Sequence, residues 1–185
     1  MIHYRHLEPS NLDGFTRLDR SDYSSTWCRM KDGLLIQEKR VFRHPGFSQS
    51  QWDGIIKEWT DKLSRGEMLL ISAFDDETPI GVAGLDINQR YGCDNLMYNF
   101  GPLWISKEYR GRGIGKRLFM MVKEEAEILD VSGLYISATP VPKTVDFYIR
   151  MGCQLLSNPD LQLFAEEPED IHMYLNLPKS VHRSC

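Results

Sequence analysis

A glycine-rich turn flanked by basic side chains is the part of this 185-residue sequence best suited to chemistry. The residues of the turn are Arg110, Gly111, Arg112, Gly113, Ile114, Gly115 and Lys116. An apolar, strand-like segment precedes the turn and an amphipathic pattern follows it, so the turn is expected to open a helix. The first amides of a helix lack partners within the helix and lie at the positive end of its dipole, and glycines let a ligand approach them closely. The turn therefore predicts a binding site for the phosphates of one ligand.

Two common phosphate motifs do not fit this turn. A Walker loop has a longer spacing than the one from Gly111 to Gly115, and Arg117 stands where its magnesium-binding hydroxyl would be. A dinucleotide fingerprint needs a third glycine where this sequence has Lys116. The pattern that does fit is Arg-x-x-Gly-x-Gly, beginning at Arg110.

The segment from Glu108 to Leu118 resembles the acyl-CoA pyrophosphate loop of the GNAT superfamily of N-acetyltransferases. A second stretch is similar to the family pattern Ala-x-x-Phe-Tyr-x-x-x-Gly-Phe, with Thr144 in place of the alanine and Cys153 in place of the last phenylalanine. The two motifs have the order and separation of the family. The specific resemblance covers about residues 95–155, and it implies that acetyl-CoA is the co-substrate and that no metal is needed.

The resemblance assigns the cofactor contacts residue by residue. The backbones of Leu103, Trp104 and Ile105 would pair with the pantetheine arm like an added strand, and one of their amides would polarise the thioester carbonyl. Pro102 fits the break that the family commonly has in this strand, because proline cannot donate to a sheet ladder. The glycine-rich turn would hold the pyrophosphate through residues Arg110, Gly111, Arg112, Gly113, Ile114, Gly115 and Lys116.

The same resemblance makes Tyr148 the candidate general acid, because a phenol can donate a proton to a departing thiolate. A purely structural tyrosine in the core is the alternative. The base is open, since the family's strand carboxylate is missing at Gly101 and Pro102. The remaining candidates are Glu67, Asp86 and Asp94, each of which could instead be a solvated surface carboxylate, and a water chain could also serve.

Hydrophobic periodicity predicts the elements that position these residues. Strands are predicted near 2–7, 33–42, 68–74, 80–87, 95–105, 134–139, 153–156 and 170–177, and helices after Ser10, after Ser48, after the glycine-rich turn and over 142–151. We expect an α/β (α+β) fold like that of the GNAT family, with a mixed, mostly antiparallel central sheet of six to seven strands and helices on both faces. One domain over residues 1–185 would contain an acceptor-side region (1–66), an acetyl-CoA-binding core (67–156) and a C-terminal strand and tail (157–185).

The net charge, the hydropathy and the cysteine spacing limit the partners that are expected. The net charge of −4, from 22 basic and 26 acidic residues, argues against nucleic-acid binding. Neither a membrane span nor a signal peptide is evident, so we expect a cytoplasmic protein, monomeric or homodimeric, with no membrane partner. The cysteines are Cys28, Cys93, Cys153 and Cys185; they lack metal spacing, and we expect reduced thiols.

The sequence thus predicts an enzyme, an N-acetyltransferase that acts on a primary amine of a small molecule, with antibiotic-like amines among the candidates. Streptothricin-type acetyltransferases have a similar order of elements. Two alternatives stay open: acetylation of a protein or peptide amine, and a non-catalytic acyl-CoA-binding regulatory module. The N-terminal aromatic residues Trp27, Phe42, Phe47 and Trp52 are expected in the core, with an acceptor surface as the alternative, and the acidic run 166–170 is expected to be a solvated loop.

Overall fold

A computed structural model of the chain describes residues 1–12, 14–92, 94–129 and 131–178. Nine strands and four α-helices follow one another along these described residues. The strands are β1 (Ile2–His6), β2 (Asp22–Lys31), β3 (Leu34–His44), β4 (Met68–Asp75), β5 (Thr78–Tyr91), β6 (Met97–Ile105), β7 (Gly133–Ala138), β8 (Gln154–Leu155) and β9 (Ile171–Asn176). The helices are α1 (Gln49–Arg65), α2 (Ile114–Ile128), α3 (Pro142–Arg150) and α4 (Leu161–Glu166).

Seven of the strands form one sheet in the order β1-β4-β5-β6-β7-β9-β8, and β2 and β3 form a separate two-stranded sheet. The pairs β1–β4, β4–β5, β7–β9 and β8–β9 are antiparallel, and β6 and β7 are parallel. This confirms the predicted mixed, mostly antiparallel sheet. It also confirms the strand expected near 33–42, whereas its partner β2 was not predicted.

The first compact unit contains Met1–Tyr23, Phe42–Asn88 and Phe100–Val122. Its helix α1 begins as the sequence predicts, because the Ser48 hydroxyl accepts from the Gln51 amide and the Gln51 side chain accepts from the Ser48 amide (2.9 Å). Trp52 and Trp59 on the inner face of α1 are buried, at 2% and 3% exposure. Trp52 therefore belongs to the core, as expected.

The helix predicted after Ser10 is wrong. Two 3-10 turns, Pro9–Asn11 and Phe15–Arg17, stand in its place. Gly14 lies between them with a φ of 86°, a left-handed conformation that an α-helix does not contain. The apolar residues of the predicted stripe, Leu12, Phe15 and Leu18, are nevertheless all buried. The apolar spacing correctly predicted which residues are buried, but it did not predict the backbone conformation.

The second compact unit contains Ser24–Val41, Gln89–Asn99 and Lys123–Cys185. Its strand β7 runs beside the start of β6 on one side and β9 on the other. The short helix α4 was not predicted, and the Asp160 carboxylate caps it by accepting from the Gln162 and Leu163 amides. Whether the chain is one functional domain with the three regions described above stays a prediction.

Two of the four cysteines, Cys28 and Cys153, are buried free thiols. Cys93, Cys185, the predicted tail from Lys179 onward and the Asp13 end of the expected cap after Ser10 lie outside the described residues. Within the described ranges, no helix has the length and apolar character needed to cross a bilayer.

Candidate active site

The glycine-rich turn opens α2, as the sequence predicts. The first bond of the helical ladder runs from the Arg117 amide to the Gly113 carbonyl (3.0 Å). The amides of Ile114, Gly115 and Lys116 therefore precede the ladder, and no described residue supplies them with an acceptor. Because the residue before the helix is glycine, it has no side chain with which to cap them. Three amides are left pointing out of the helix start.

The backbone of the turn keeps the space in front of these amides open. Gly111 and Gly113 have φ values of 77° and 81°, in the left-handed region that favours glycine. A Cβ built on either residue would meet no atom within 4 Å. Arg112, Gly113, Lys116 and Gly111 are exposed, and the Arg112 guanidinium lies over the Tyr109 ring, 5.0 Å from its centroid. The arrangement is an open, positively charged cradle, which fits a diphosphate.

Arg110 faces away from this cradle. Its Nε donates to the Ile105 carbonyl (3.0 Å) and its Nη1 donates to the Ser21 carbonyl (3.0 Å). Asp22 lies 3.5 Å from the same nitrogen. The side chain therefore braces the end of β6 against residues 21–22, and the predicted contact of Arg110 with pyrophosphate stays a prediction.

The segment between β6 and the cradle is held at both of its ends. The buried Ser106 donates its amide to the Ile80 carbonyl (2.8 Å), and its hydroxyl accepts from the Asp19 amide (3.2 Å). The Lys107 amide donates to the Asp19 carbonyl (2.9 Å). Tyr109 then donates its hydroxyl to Asp75 (3.1 Å). These bonds fix the loop that carries the cradle to β4, β5 and the residues before β2.

The last residues of β6, where the pantetheine arm is predicted, run close to β5. A Cβ on Gly81 would stand 3.1 Å from the Trp104 carbonyl oxygen, so glycine permits this approach. Leu103, Trp104 and Ile105 are all half-buried. The Trp104 side chain packs on Trp52 and Trp59 of α1, with ring centroids 5.9 and 5.5 Å apart. The position of this strand is therefore fixed by the aromatic core of the first unit.

The predicted acid, Tyr148, belongs to the second unit and is one of the two buried residues of α3, the other being Val145. Burial is the main cause that raises the pKa of Tyr148 above its ordinary value, and the charges of Cys153 and Asp170 raise it further. The phenol consequently stays protonated at neutral pH. It is also electrostatically coupled to a carboxyl group.

Asp170 was expected in a solvated loop, and this part of the prediction is wrong. The residue is half-buried immediately before β9. Burial, followed by the charges of Glu167 and Glu169, raises the pKa of Asp170 to about 7. The acidic run therefore contains one carboxyl group that titrates near neutral pH. No local sequence pattern distinguishes it from its exposed neighbours.

Of the three carboxylates that the sequence suggests as candidate bases, two form ion pairs and one is exposed. Asp86 is 2.8 Å from the Lys62 ammonium, with only 13% of its side chain exposed. Glu67 is 2.8 Å from the Arg65 guanidinium, and Asp94 is exposed in the segment before β6. Asp86 and Glu67 thus form ion pairs at the ends of α1 and β4, and nothing in their contacts distinguishes them as proton acceptors.

Residues 37–161 match the family model described as the acetyltransferase (GNAT) domain, which is more than half of the chain. The chain belongs to the GNAT acetyltransferase family. It is accordingly an N-acetyltransferase, as the two motifs predict. No curated protein matches the sequence at a significant level.

Several solved structures share the GNAT fold over nearly the whole chain. Nourseothricin acetyltransferase is 19% identical, with a TM-score of 0.68, and the match covers 96% of this chain and 99% of that one. A proposed streptothricin acetyltransferase from Bacillus anthracis strain Ames, in complex with acetyl coenzyme A, is 17% identical, with a TM-score of 0.70 and coverage of 96% and 99%. The ribosomal-protein-S18-alanine N-acetyltransferase of Escherichia coli is 12% identical, with a TM-score of 0.62 and coverage of 99% and 98%. At these identities the likeness shows the fold alone.

Proposed function

We propose that this GNAT protein transfers the acetyl group of acetyl-CoA to the primary amine of a small molecule. The observation that carries the proposal is the set of amides at Ile114, Gly115 and Lys116, which open α2 in front of an unobstructed turn and have no acceptor within the described part of the chain. Two of the similar structures are acetyltransferases named for nourseothricin and for streptothricin, and the second contains acetyl coenzyme A. These likenesses support a small-molecule acceptor.

The cofactor would be held by backbone rather than by side chains. The amides from Arg112 to Lys116 are the proposed pyrophosphate donors. The backbones of Leu103, Trp104 and Ile105 are the proposed partners of the pantetheine arm, and one of their amides would polarise the carbonyl that reacts. Acetyl-CoA would supply an activated thioester. The chain would hold the thioester, accept a proton from the amine and donate a proton to the departing thiolate.

Tyr148 is the proposed general acid. Its raised pKa keeps the proton on the phenol until a thiolate departs. Asp170, which is half-buried just before β9, is offered as a candidate base for testing, because its pKa of about 7 leaves a useful fraction ionised at neutral pH. A primary amine is mostly protonated at that pH, so a group that accepts its proton is needed.

The experiment is a panel of small amines, antibiotics and peptides incubated with the protein and acetyl-CoA, with released thiol as the readout. Acetylation of at least one small amine, together with coenzyme A binding measured by calorimetry, is the expected result. Turnover restricted to peptides would move the function to protein acetylation. Coenzyme A binding without turnover on any amine would favour the regulatory module.

A further inference from the structure

The guanidinium of Arg20 is stacked between two aromatic rings of the first unit. It lies 4.3 Å from the centroid of Phe47 and 4.1 Å from that of Trp104. The two rings are themselves in contact, with centroids 5.2 Å apart. Stacking fixes the plane of a guanidinium and leaves the N–H groups at its edge free to donate. The structure therefore holds five donors in one orientation beside the strand predicted to carry the thioester.

Among the described residues, these donors have no acceptor. Over the residues that the structure describes, no carboxylate lies within ion-pair distance of Arg20 and its guanidinium donates no hydrogen bond. Burial, and next the charge of Arg110, lower the pKa of Arg20 to about 10. The side chain still carries its charge at neutral pH. A half-buried guanidinium can donate to water or to a ligand, and the carboxylate of a ligand would accept the stronger, charge-assisted bonds.

An open groove of about 460 Å³ is lined by Asp22, Tyr23, Arg43, His44 and Pro45, and the charge of Arg20 acts on one of these residues, His44. This volume suits a small ligand. His44 links the groove to the stack, because its ring contacts that of Phe47 at 5.4 Å. Its Nδ1 accepts from the Gly46 amide (3.1 Å), which leaves Nε2–H as a donor.

The charge in the groove favours an anion. Burial, and then the charge of Arg20, lower the pKa of His44, so the ring is neutral at neutral pH. Arg43 is the cation of the lining, the charges of Arg20 and Arg110 also act on His44, and the carboxylate of the lining, Asp22, lies 3.5 Å from Arg110. Positive charge therefore exceeds negative charge here, in a protein whose net charge is −4. A polycationic acceptor would be repelled from this groove, and an acidic group would be attracted.

We propose that Arg20 binds the carboxylate of the acceptor, so that the preferred substrate is an amino-acid-like primary amine that carries an acid group. This inference rests on the proposed function and specifies the acceptor of the same site. A planar carboxylate matches the edge of a guanidinium with two parallel hydrogen bonds. The groove lies among the acceptor-side residues 20–45, whereas the phosphates of the cofactor are assigned to the cradle at α2. Arg20 is a specificity-determining residue in this scheme.

The test compares acids with their neutral amides. Phenylalanine is paired with phenylalaninamide and 4-aminobutyrate with 4-aminobutanamide, and kcat/KM is measured by thiol release. Because a charge-assisted bidentate contact is lost in the amide, we expect the acid to be favoured about tenfold to a hundredfold in the wild type. The preference should fall towards unity in Arg20→Gln and be intermediate in Arg20→Lys.

Arg5→Gln is the matched control, since Arg5 also lies over an aromatic ring, that of Phe74, at 4.1 Å. It removes one charge and one stack outside the groove, so the acid preference should stay at the wild-type value. Thermal melting checks that each variant folds. If Arg20→Gln does not fold, Arg20→Lys and the wild-type ratio of acid to amide decide the matter.

Direct binding separates this proposal from the proposed function. The N-acetylated acids and their amides are titrated into the wild-type protein by calorimetry, which needs no turnover. Tighter binding of the acids supports the proposal, and equal binding, or no binding of either, overturns it. Turnover of the amides as fast as the acids would also overturn it while leaving the acetyltransferase function intact. Failure to bind coenzyme A would instead count against the proposed function.

Discussion

Gly113 offers a direct test of the cradle, because its replacement has two separable effects. Gly113→Ala places a side chain at a φ of 81°, which costs about 1–2 kcal/mol of backbone strain. The added Cβ meets no protein atom within 4 Å, so no steric clash adds to this cost. For a chain of this size, the strain lowers Tm by roughly 2–8 °C. A ligand that approaches the amides of Ile114 to Lys116 would, however, meet the new methyl group.

The expected loss of affinity can be estimated from the bonds involved. A hydrogen bond from an amide to a charged phosphate contributes about 1.5–3 kcal/mol, so losing one such bond raises the Kd for coenzyme A roughly tenfold to more than a hundredfold. Calorimetry measures this Kd. Saturating coenzyme A should raise the Tm of the wild type and raise that of Gly113→Ala much less.

Gly33→Ala is the matched control. Gly33 lies in the turn between β2 and β3, has a φ of 79°, and likewise would have no atom within 4 Å of an added Cβ. Gly33→Ala should therefore lower Tm by the same amount as Gly113→Ala and leave the Kd for coenzyme A unchanged. If both variants lose equal stability and both keep wild-type affinity, the diphosphate does not lie against the start of α2, and the assignment of the cradle is refuted.

Three further outcomes are expected. Tyr148→Phe should lower kcat about a hundredfold or more with the Kd for coenzyme A unchanged, and unaltered turnover would remove Tyr148 as the acid. Asp170 has a folded-state pKa of about 7 against an ordinary 3.8, so the wild type loses stability as pH rises from about 4 to about 7, by up to about 4 kcal/mol in total. Asp170→Asn should therefore unfold at a higher denaturant concentration than the wild type at pH 8, have the same stability as the wild type near pH 4, and have a lower kcat. The exposed control Glu166→Gln should change neither stability nor activity. Equal stability of Asp170→Asn and the wild type at pH 8 would contradict the shifted pKa. Asp86→Asn should cost about 1 kcal/mol of stability through the Lys62 pair and leave kcat near the wild-type value, whereas a large fall in kcat would restore Asp86 as a base.

The parts of the site that depend on neighbouring residues in the chain were predictable. The turn from Arg110 to Lys116 needs only a strand before it and a helix after it, and both features are visible as local patterns. The cap of α1 at Ser48 likewise involves side chains three residues apart. The 3-10 turns around Gly14 show the limit of this reasoning, since apolar spacing predicts burial without fixing the backbone.

Contacts between segments that are far apart in the chain could not be predicted from the sequence. Arg20 and Trp104 are far apart in the chain, and they stack only because the fold brings these distant segments together. The ion pair between Lys62 and Asp86 has the same origin, and it changes the interpretation of a candidate base.

The sequence by itself determined the family, the position of the cradle and the identity of the candidate acid, because each is encoded in a short motif whose geometry is set by local backbone preferences. Only the tertiary structure decided which carboxyl groups are paired, which one is half-buried with a raised pKa, and which cation has no acceptor among the residues that the structure describes. Burial and long-range electrostatics depend on what surrounds a side chain in space. Asp170 and Glu166 lie in one acidic run, yet only the fold makes the former half-buried and leaves the latter exposed.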